Sequence, residues 1–295
     1  MPDLLLDALP VIDLLEITAN TSAVAQLTQR DQSSVSRIYR QASKRLGLQF
    51  AKAPSGDYCA GDNQALLQQL RRSSQHLRLH NPIELRWLGC RWSPALAAGA
   101  TSPHPLPNRW NSAQRTCELV RNHLLDLAIV PGLELLPGDR SPLPLPAELP
   151  LACGHLLALP LVHYPLLIAA DQDHPLHAQT TLSTADLAAW PLQAEASDPA
   201  PQRDRLLQRS GLKLSDRPAT IPRLALQLVT ALELECTRSS GRLQALPVAT
   251  GLADLDLLVM RSDLYGEPAL MQLVQAVVRA YRQAFRHHPD LHWLR

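Results

Sequence analysis

Glycine is scarce in this sequence, 12 among 295 residues, and none falls in a GxGxxG or GxxxxGK[ST] run. Without such a run the backbone has no loop shaped to cradle a phosphate chain, which removes the commonest nucleotide-binding designs. GxSxG and HExxH are missing as well, and with them the usual hydrolase elbow and zinc-peptidase helix. The five cysteines (Cys59, Cys90, Cys117, Cys153, Cys236) are odd in number, scattered and never paired as CxxC. They read as small buried hydrophobes, not as a disulfide framework or a metal set. His174 and His177 are three apart and His287 and His288 adjacent, but neither pair joins a Cys or acidic constellation at ligand spacing. No metal, no cofactor and no enzymatic site is expected.

Long apolar runs are also lacking. Each is broken by Pro, His or a charge within about ten residues, whereas a bilayer needs about 20. The first residues, MPDLLLDALPVIDLLEI, carry three Asp and one Glu where a secretory signal would carry Lys or Arg. The expectation is a cytoplasmic, nucleoid-associated protein with no membrane partner. What is present is ordinary for a folded chain: 46 % apolar and 19 % charged residues, with a length that suits two or three domains.

The net charge of +1 hides an asymmetry. Between residues 30 and 52 lie six cations (Arg30, Arg37, Arg40, Lys44, Arg45, Lys52) and one acid, Asp31, so six minus one leaves +5 in a short segment. That is the footprint of an anionic partner, with a solvated helix face as the plain alternative. The local pattern around it is helical. Residues 4–18 recur apolar at helical spacing, with Pro10 suited to a helix start. Asn20, Thr21 and Ser22 offer a cap for AVAQLTQ. After Arg30-Asp31 comes QSSVSRIYRQASKRLG, which Gly47 ends.

At about 100° per residue, Ser33, Arg37, Arg40 and Lys44 share a stripe of about 60°. Val35, Ile38, Tyr39, Ala42 and Leu46 centre on the opposite side. One face packs, and the other offers hydroxyls and cations. Arg forks to guanine, Gln pairs with adenine, and the helix start at Gln32, Ser33 and Ser34 presents amides to phosphate. The preceding short capped helix and tight turn make this the reading helix of a helix-turn-helix bound to double-stranded DNA. An ordinary amphipathic surface helix is the competing reading.

TSAVAQLTQRDQSSVSRIYRQASKRLG resembles the winged helix-turn-helix of LysR-type transcription regulators. Gln32, Ser36, Arg37, Leu46 and Gly47 fall on that pattern, and Tyr39 replaces its Ile. Ala42-Ser43 stands where the family has Leu-Glu, and LQFAKAPSGDYCAG is a shorter wing in which Lys52 is the cation. The segment GDNQALLQQLRRSSQHLRL is helical, with Leu66, Leu70, Ser73 and Leu77 on a heptad seam. The resemblance makes it the linker helix that pairs with its twin, placing Leu66, Leu70 and Leu77 in a dimer interface. A helix packed on its own head is the alternative.

Asn81-Pro82 marks a boundary. Beyond it IELRWLGC, DLAIVPG and YPLLIAA read as strands and NSAQRTCELVRNHLL as a helix, which implies an open parallel or mixed sheet. LLDLAIVPG, the HPL run at 174–176 before LSTADLAAWPL, and GRLQALPV with the closing LDLLVMRSDLYGEPALMQLVQAVVRAY resemble successive elements of the LysR effector domain. In the closing helix Leu270, Leu273, Val277, Tyr281 and Phe285 recur at helical spacing after Pro268.

The resemblance implies an α/β fold with an α-rich N-terminal winged helix-turn-helix and a two-lobed periplasmic-binding-protein-like effector domain. Its divisions are a head at 1–60, a linker at 61–80 and a sensor at 81–295. Lobe I takes 83–155 and 251–295, and lobe II takes 156–250. It also implies a homodimer or homotetramer and a small organic or anionic effector held near Ser93, Gly132, Ser197 and Thr237. These lie on the turn at 91–96, the turn at Pro131-Gly132, the turn at 195–198 and a strand end near Cys236-Thr237. SPALAAGATSPHPLPNRW is too short and Pro-rich for a full helix and second strand, and LVTALELECTRSSGRL lacks the family's Gly-rich turn, so a reduced or lost pocket stands as the alternative. The rival function is a two-lobed small-molecule-binding protein whose helical head serves assembly only.

Overall fold

The computed structural model describes residues 3–52, 58–60, 62–89, 105–107, 112–135, 149–150, 155–193, 200–215, 224–237, 242–286, 288 and 291–293. The N-terminal part is helical. A π turn over Leu4–Ala8 runs into α1 (Leu9–Thr18), with Pro10 in the first turn where its missing N–H costs nothing. Asn20 caps α2 (Thr21–Leu27) by accepting from Ser22 N at 2.8 Å and Ala23 N at 3.3 Å. Helix α3 (Gln32–Leu46) ends at Gly47, whose φ of +63° needs a residue free to adopt the left-handed region. Strands β1 (Phe50–Lys52) and β2 (Tyr58–Ala60) pair antiparallel as a short wing, and Tyr39 meets Phe50 in a tilted ring contact with centroids 5.1 Å apart. Helix α4 (Gln64–His80) follows and stops at Asn81-Pro82.

The rest is a mixed sheet clothed by helices. In chain order it comprises β3 (Trp87–Leu88), α5 (Ala113–Arg121), β4 (Leu127–Pro131), β5 (Leu149–Pro150) and β6 (Leu156–Asp171). Then come α6 (Thr184–Leu187), β7 (Leu192–Gln193), α7 (Pro201–Arg209), β8 (Leu226–Thr230) and α8 (Ala231–Thr237). Last are β9 (Leu243–Ala245), β10 (Ala253–Arg261), α9 (Pro268–Phe285) and β11 (His292–Trp293). The strand order is β3-β4-β10-β6-β8-β7. The β3/β4 and β7/β8 pairs are parallel and the others antiparallel. No described helix is long and apolar enough to cross a membrane.

Strand β6 organises this domain, because it joins the two halves of the sheet. Residues Leu156 to Pro165 pair with β10, and residues Leu166 to Ala169 pair with β8. The expected strand YPLLIAA is only the second half of β6; Pro160 and Pro165 are both unusual inside a central strand. Both prolines sit where a ladder bond is dispensable. The register with β10 shifts beside Pro160, skipping Leu161, and Pro165 ends the β10 ladder just before β8 takes over. The first half of β6 therefore shares its ladder with β10, and the second half with β8.

Two further expectations are corrected. The IELRWLGC strand contracts to Trp87 and Leu88, because Pro82–Glu84 form a 3-10 turn first. The strand end expected near Cys236-Thr237 lies instead at Thr230. Ala231-Leu-Glu-Leu-Glu consists of good helix formers, and the Thr230 hydroxyl caps α8 by accepting from Glu233 N at 3.0 Å. Helix α9 follows its sequence pattern closely, burying Leu270, Leu273, Val277, Tyr281 and Phe285.

Candidate functional site

Helix α3 presents two chemically distinct faces. Val35, Ile38, Ala42 and Leu46 are buried, whereas Ser33, Arg37, Arg40, Lys44 and Arg45 are exposed. Four of the expected DNA-contacting residues, Ser33, Arg37, Arg40 and Lys44, thus stand on one outward stripe. Ser36 is half-buried on its flank, and Lys52 lies in β1 with its side chain outside the described residues. The C-terminal half of the stripe borders an open groove of about 610 Å³ lined by Leu4, Ala8, Ile38, Gln41, Ala42, Lys44 and Arg45.

The helix start is already engaged. Asp31 is its N-cap, accepting from Ser34 N at 2.7 Å, from the Ser33 hydroxyl at 2.5 Å and from the Ser34 hydroxyl at 2.7 Å. Those hydrogen bonds hold the Asp31 carboxyl far below its usual pKa. Gln32 donates to the Ser22 hydroxyl, Arg37 donates to the Ser34 hydroxyl at 3.1 Å, and Arg40 reaches the Ser36 carbonyl at 3.3 Å. The residues expected to meet phosphate are therefore pre-arranged around a carboxylate that sits where an anion would bind. The sequence pattern placed the stripe but did not reveal this competition.

Helix α4 is two-faced in a different way. Its buried side is Leu67, Arg71, Ser74, Gln75 and Arg78, mostly polar. The leucines of the heptad seam point elsewhere: Leu66 is 45 % and Leu77 43 % exposed, and Leu70 is half-buried. The polar side is satisfied by a buried ionic network. Asp13 accepts from Arg71 Nε at 2.8 Å and from Arg86 Nη1 at 2.9 Å, and Glu16 accepts from Arg71 Nη2 at 2.6 Å. Asp126 accepts from Arg78 Nε at 2.9 Å, from Gln75 Nε2 at 2.8 Å and from the Arg86 amide at 2.8 Å. Burial works against the charge on Arg71, yet Asp13 and Glu16 hold its pKa above the usual arginine value. Burial and then neighbouring Arg78 push Arg86 below it, against the pull of Asp13. The sequence did hold a signal for this network: two carboxylates three residues apart in the otherwise apolar α1, which demand cationic partners once buried.

His123 borders the network, its Nδ1 2.7 Å from Gln75 Oε1. Burial, then the cations Arg261, Arg72 and Arg78, lower its pKa to about 4.

Of the expected effector positions only Gly132 is fully described. Ser93 and Ser197 lie outside the described residues, and Thr237 ends α8 with its side chain likewise outside them. Gly132 opens the turn after β4 and packs against β10, where an added Cβ would stand 2.7 Å from Leu255 Cγ. Two residues on, Glu134 reaches α7, accepting from Gln202 N at 3.3 Å and Arg203 N at 3.0 Å. The first turn of α7, a natural anion seat, is thus filled by the chain's own carboxylate. Beside it Asp254 is fully buried and accepts from Leu133 N at 2.9 Å and Leu255 N at 2.7 Å. Burial dominates those two hydrogen bonds and raises its pKa to about 7. Among the described residues no group of three His, Cys, Asp or Glu is placed to hold a metal ion.

No family model matches the sequence, and no curated protein is significantly similar to it. Solved structures are similar in shape. A full-length OxyR variant from Pseudomonas aeruginosa aligns over 96 % of this chain and 95 % of its own, at 15 % identity and a TM-score of 0.51. The regulatory domain of MetR, a LysR family regulator from N. meningitidis, aligns over 72 % of this chain and 98 % of its own, at 15 % identity and a TM-score of 0.50. The chain therefore has the fold of these proteins, a helical head followed by a periplasmic-binding-protein-like α/β domain.

Proposed function

We propose that the chain is a LysR-type, sequence-specific DNA-binding transcription regulator, a binding protein with no enzymatic chemistry of its own. The observation that carries this reading is the outward stripe of Ser33, Arg37, Arg40 and Lys44 on a capped helix whose other face is buried. In this reading residues 1–60 form the head, 61–80 the linker and 81–295 the sensor. The exposed Leu66 and Leu77, with Leu70, pair two copies, because a two-fold DNA site needs two heads. A small organic or anionic effector binds the sensor near Gly132, at the carboxyl end of β4 where α/β sheets hold ligands, with Ser93, Ser197 and Thr237 as further contacts. The protein works in the cytoplasm on the nucleoid.

The test is DNA affinity across salt concentration, measured with a pool of duplexes from which bound sequences are recovered. Arg37→Ala and Arg40→Ala are expected to weaken binding by about 1–3 kcal/mol if base contacts are lost. Melting should be unaltered, since both side chains are exposed. A wild-type protein that binds no duplex at low salt sinks the reading and leaves the head an assembly module.

A further inference from the structure

Helix α1 belongs to the head, yet its two carboxylates are held largely from outside it. Asp13 is fully buried and Glu16 is 6 % exposed. Besides Arg71 on α4, Asp13 is paired with Arg86, next to β3, and Glu16 with Arg115 Nη2 on α5 at 3.5 Å. Arg86 in turn gives its amide to Asp126, the residue before β4, and Asp126 holds Arg78 near the end of α4. One unbroken chain of hydrogen-bonded, largely buried groups, most of them charged, thus runs from head to linker to sensor and back to the linker.

Such a chain is an expensive way to gain stability, because every ion in it has left water. It is an effective way to fix geometry, because each charge is compensated only in one arrangement. The two carboxylates lie three residues apart on α1, so both face the same side of that helix. Two arginines of the sensor and one of the linker converge on that side. The neighbouring core closes over them, with Trp87 fully buried beside Arg86.

We propose that this network is a rigid joint that docks the DNA-reading head onto the sensor domain of its own chain, so that movement of the β3–β4 edge reaches α1 directly and not only through a second subunit. The regulatory meaning of the joint rests on the function proposed above; the docking itself does not.

Hydrogen exchange on the intact chain tests it. In the wild type, peptides spanning 9–46 are expected to open together with β4, β6 and β10. In Arg86→Met, peptides 9–46 should exchange at least tenfold faster while the strands keep their wild-type rates. Unchanged head exchange over intact strands would overturn the joint. Should Arg86→Met fail to fold, Asp13→Asn and Arg115→Met probe the same contacts from the other element and from the periphery, with the same two outcomes. A second arm uses a random-sequence duplex. All five tryptophans (Trp87, Trp92, Trp110, Trp190, Trp293) lie beyond the head. DNA binding should change their emission in the wild type and not in a variant whose head is released. A wild-type complex with unchanged emission would count against the joint. Absence of any complex would instead sink the functional reading, with the exchange arm still deciding the joint.

Discussion

At the scale of single residues, Asp31 sets the terms on which the head meets an anion. Its carboxylate secures the start of α3 and the hydroxyls of Ser33 and Ser34, but it also places a negative charge at the mouth of the stripe. Serine caps a helix about as well as aspartate without that charge. Asp31→Ser should therefore leave melting nearly unaltered and tighten duplex binding at low salt, with the gain fading as salt rises; equal binding at low salt would show that the carboxylate does not oppose DNA. Gly132 makes a steric argument. Its absent Cβ leaves room for Leu255, whose Cγ and carbonyl oxygen would lie 2.7 and 3.2 Å from an added methyl. Gly132→Ala should cost about 1–3 kcal/mol of stability through overpacking, readable as a lower denaturant midpoint.

At the scale of elements, α4 is bound to its own chain by arginines and left open by leucines. The exposed side predicts assembly. Leu66→Glu with Leu77→Glu should yield smaller particles in sedimentation with little change in melting, because neither side chain is in the core; a wild type that already sediments as a monomer at micromolar concentration contradicts the assignment. Elements fixed by local chemistry were legible in the sequence. Asn20, Gly47 and Pro268 announce their helix ends, and the five apolar positions of α9 announce its buried face. Elements fixed by distant partners were not. Strand β6 carries two prolines that only the ladders beside it make tolerable, and α8 stands where the family resemblance implies a strand end. In the candidate site the stripe on α3 was legible for the same local reason. The partners of Asp13 lie 58 and 73 residues away, beyond any periodicity.

At the scale of the whole molecule, His123 and Asp254 give the fold two proton balances of opposite sign. His123 has its pKa lowered to about 4, so the folded chain resists a proton that the unfolded chain takes up near pH 6.5. Its contribution is present above 6.5 and is lost as pH falls toward 4, on the order of 1–2 kcal/mol once discounted for partial exposure. Asp254 has its pKa raised to about 7, so the folded chain retains a proton that the unfolded chain gives up near 3.8. Its contribution is full below that value and is lost as pH climbs to 7, on the order of a few kcal/mol. Between about pH 4 and 6.5 one group takes stability away on acidification while the other returns it, so each partly offsets the other in the wild type. Single variants should separate them. On acidification through that window His123→Asn should lose less stability than the wild type, and Asp254→Asn should lose more. Denaturant titrations at pH 4.5, 6 and 8 read both, and parallel curves for all three proteins would show that neither group titrates differently on folding. The consequence is a molecule in which two carriers on separate elements pull stability in opposite directions in mild acid, so that a substitution at either one tilts its pH dependence toward the other.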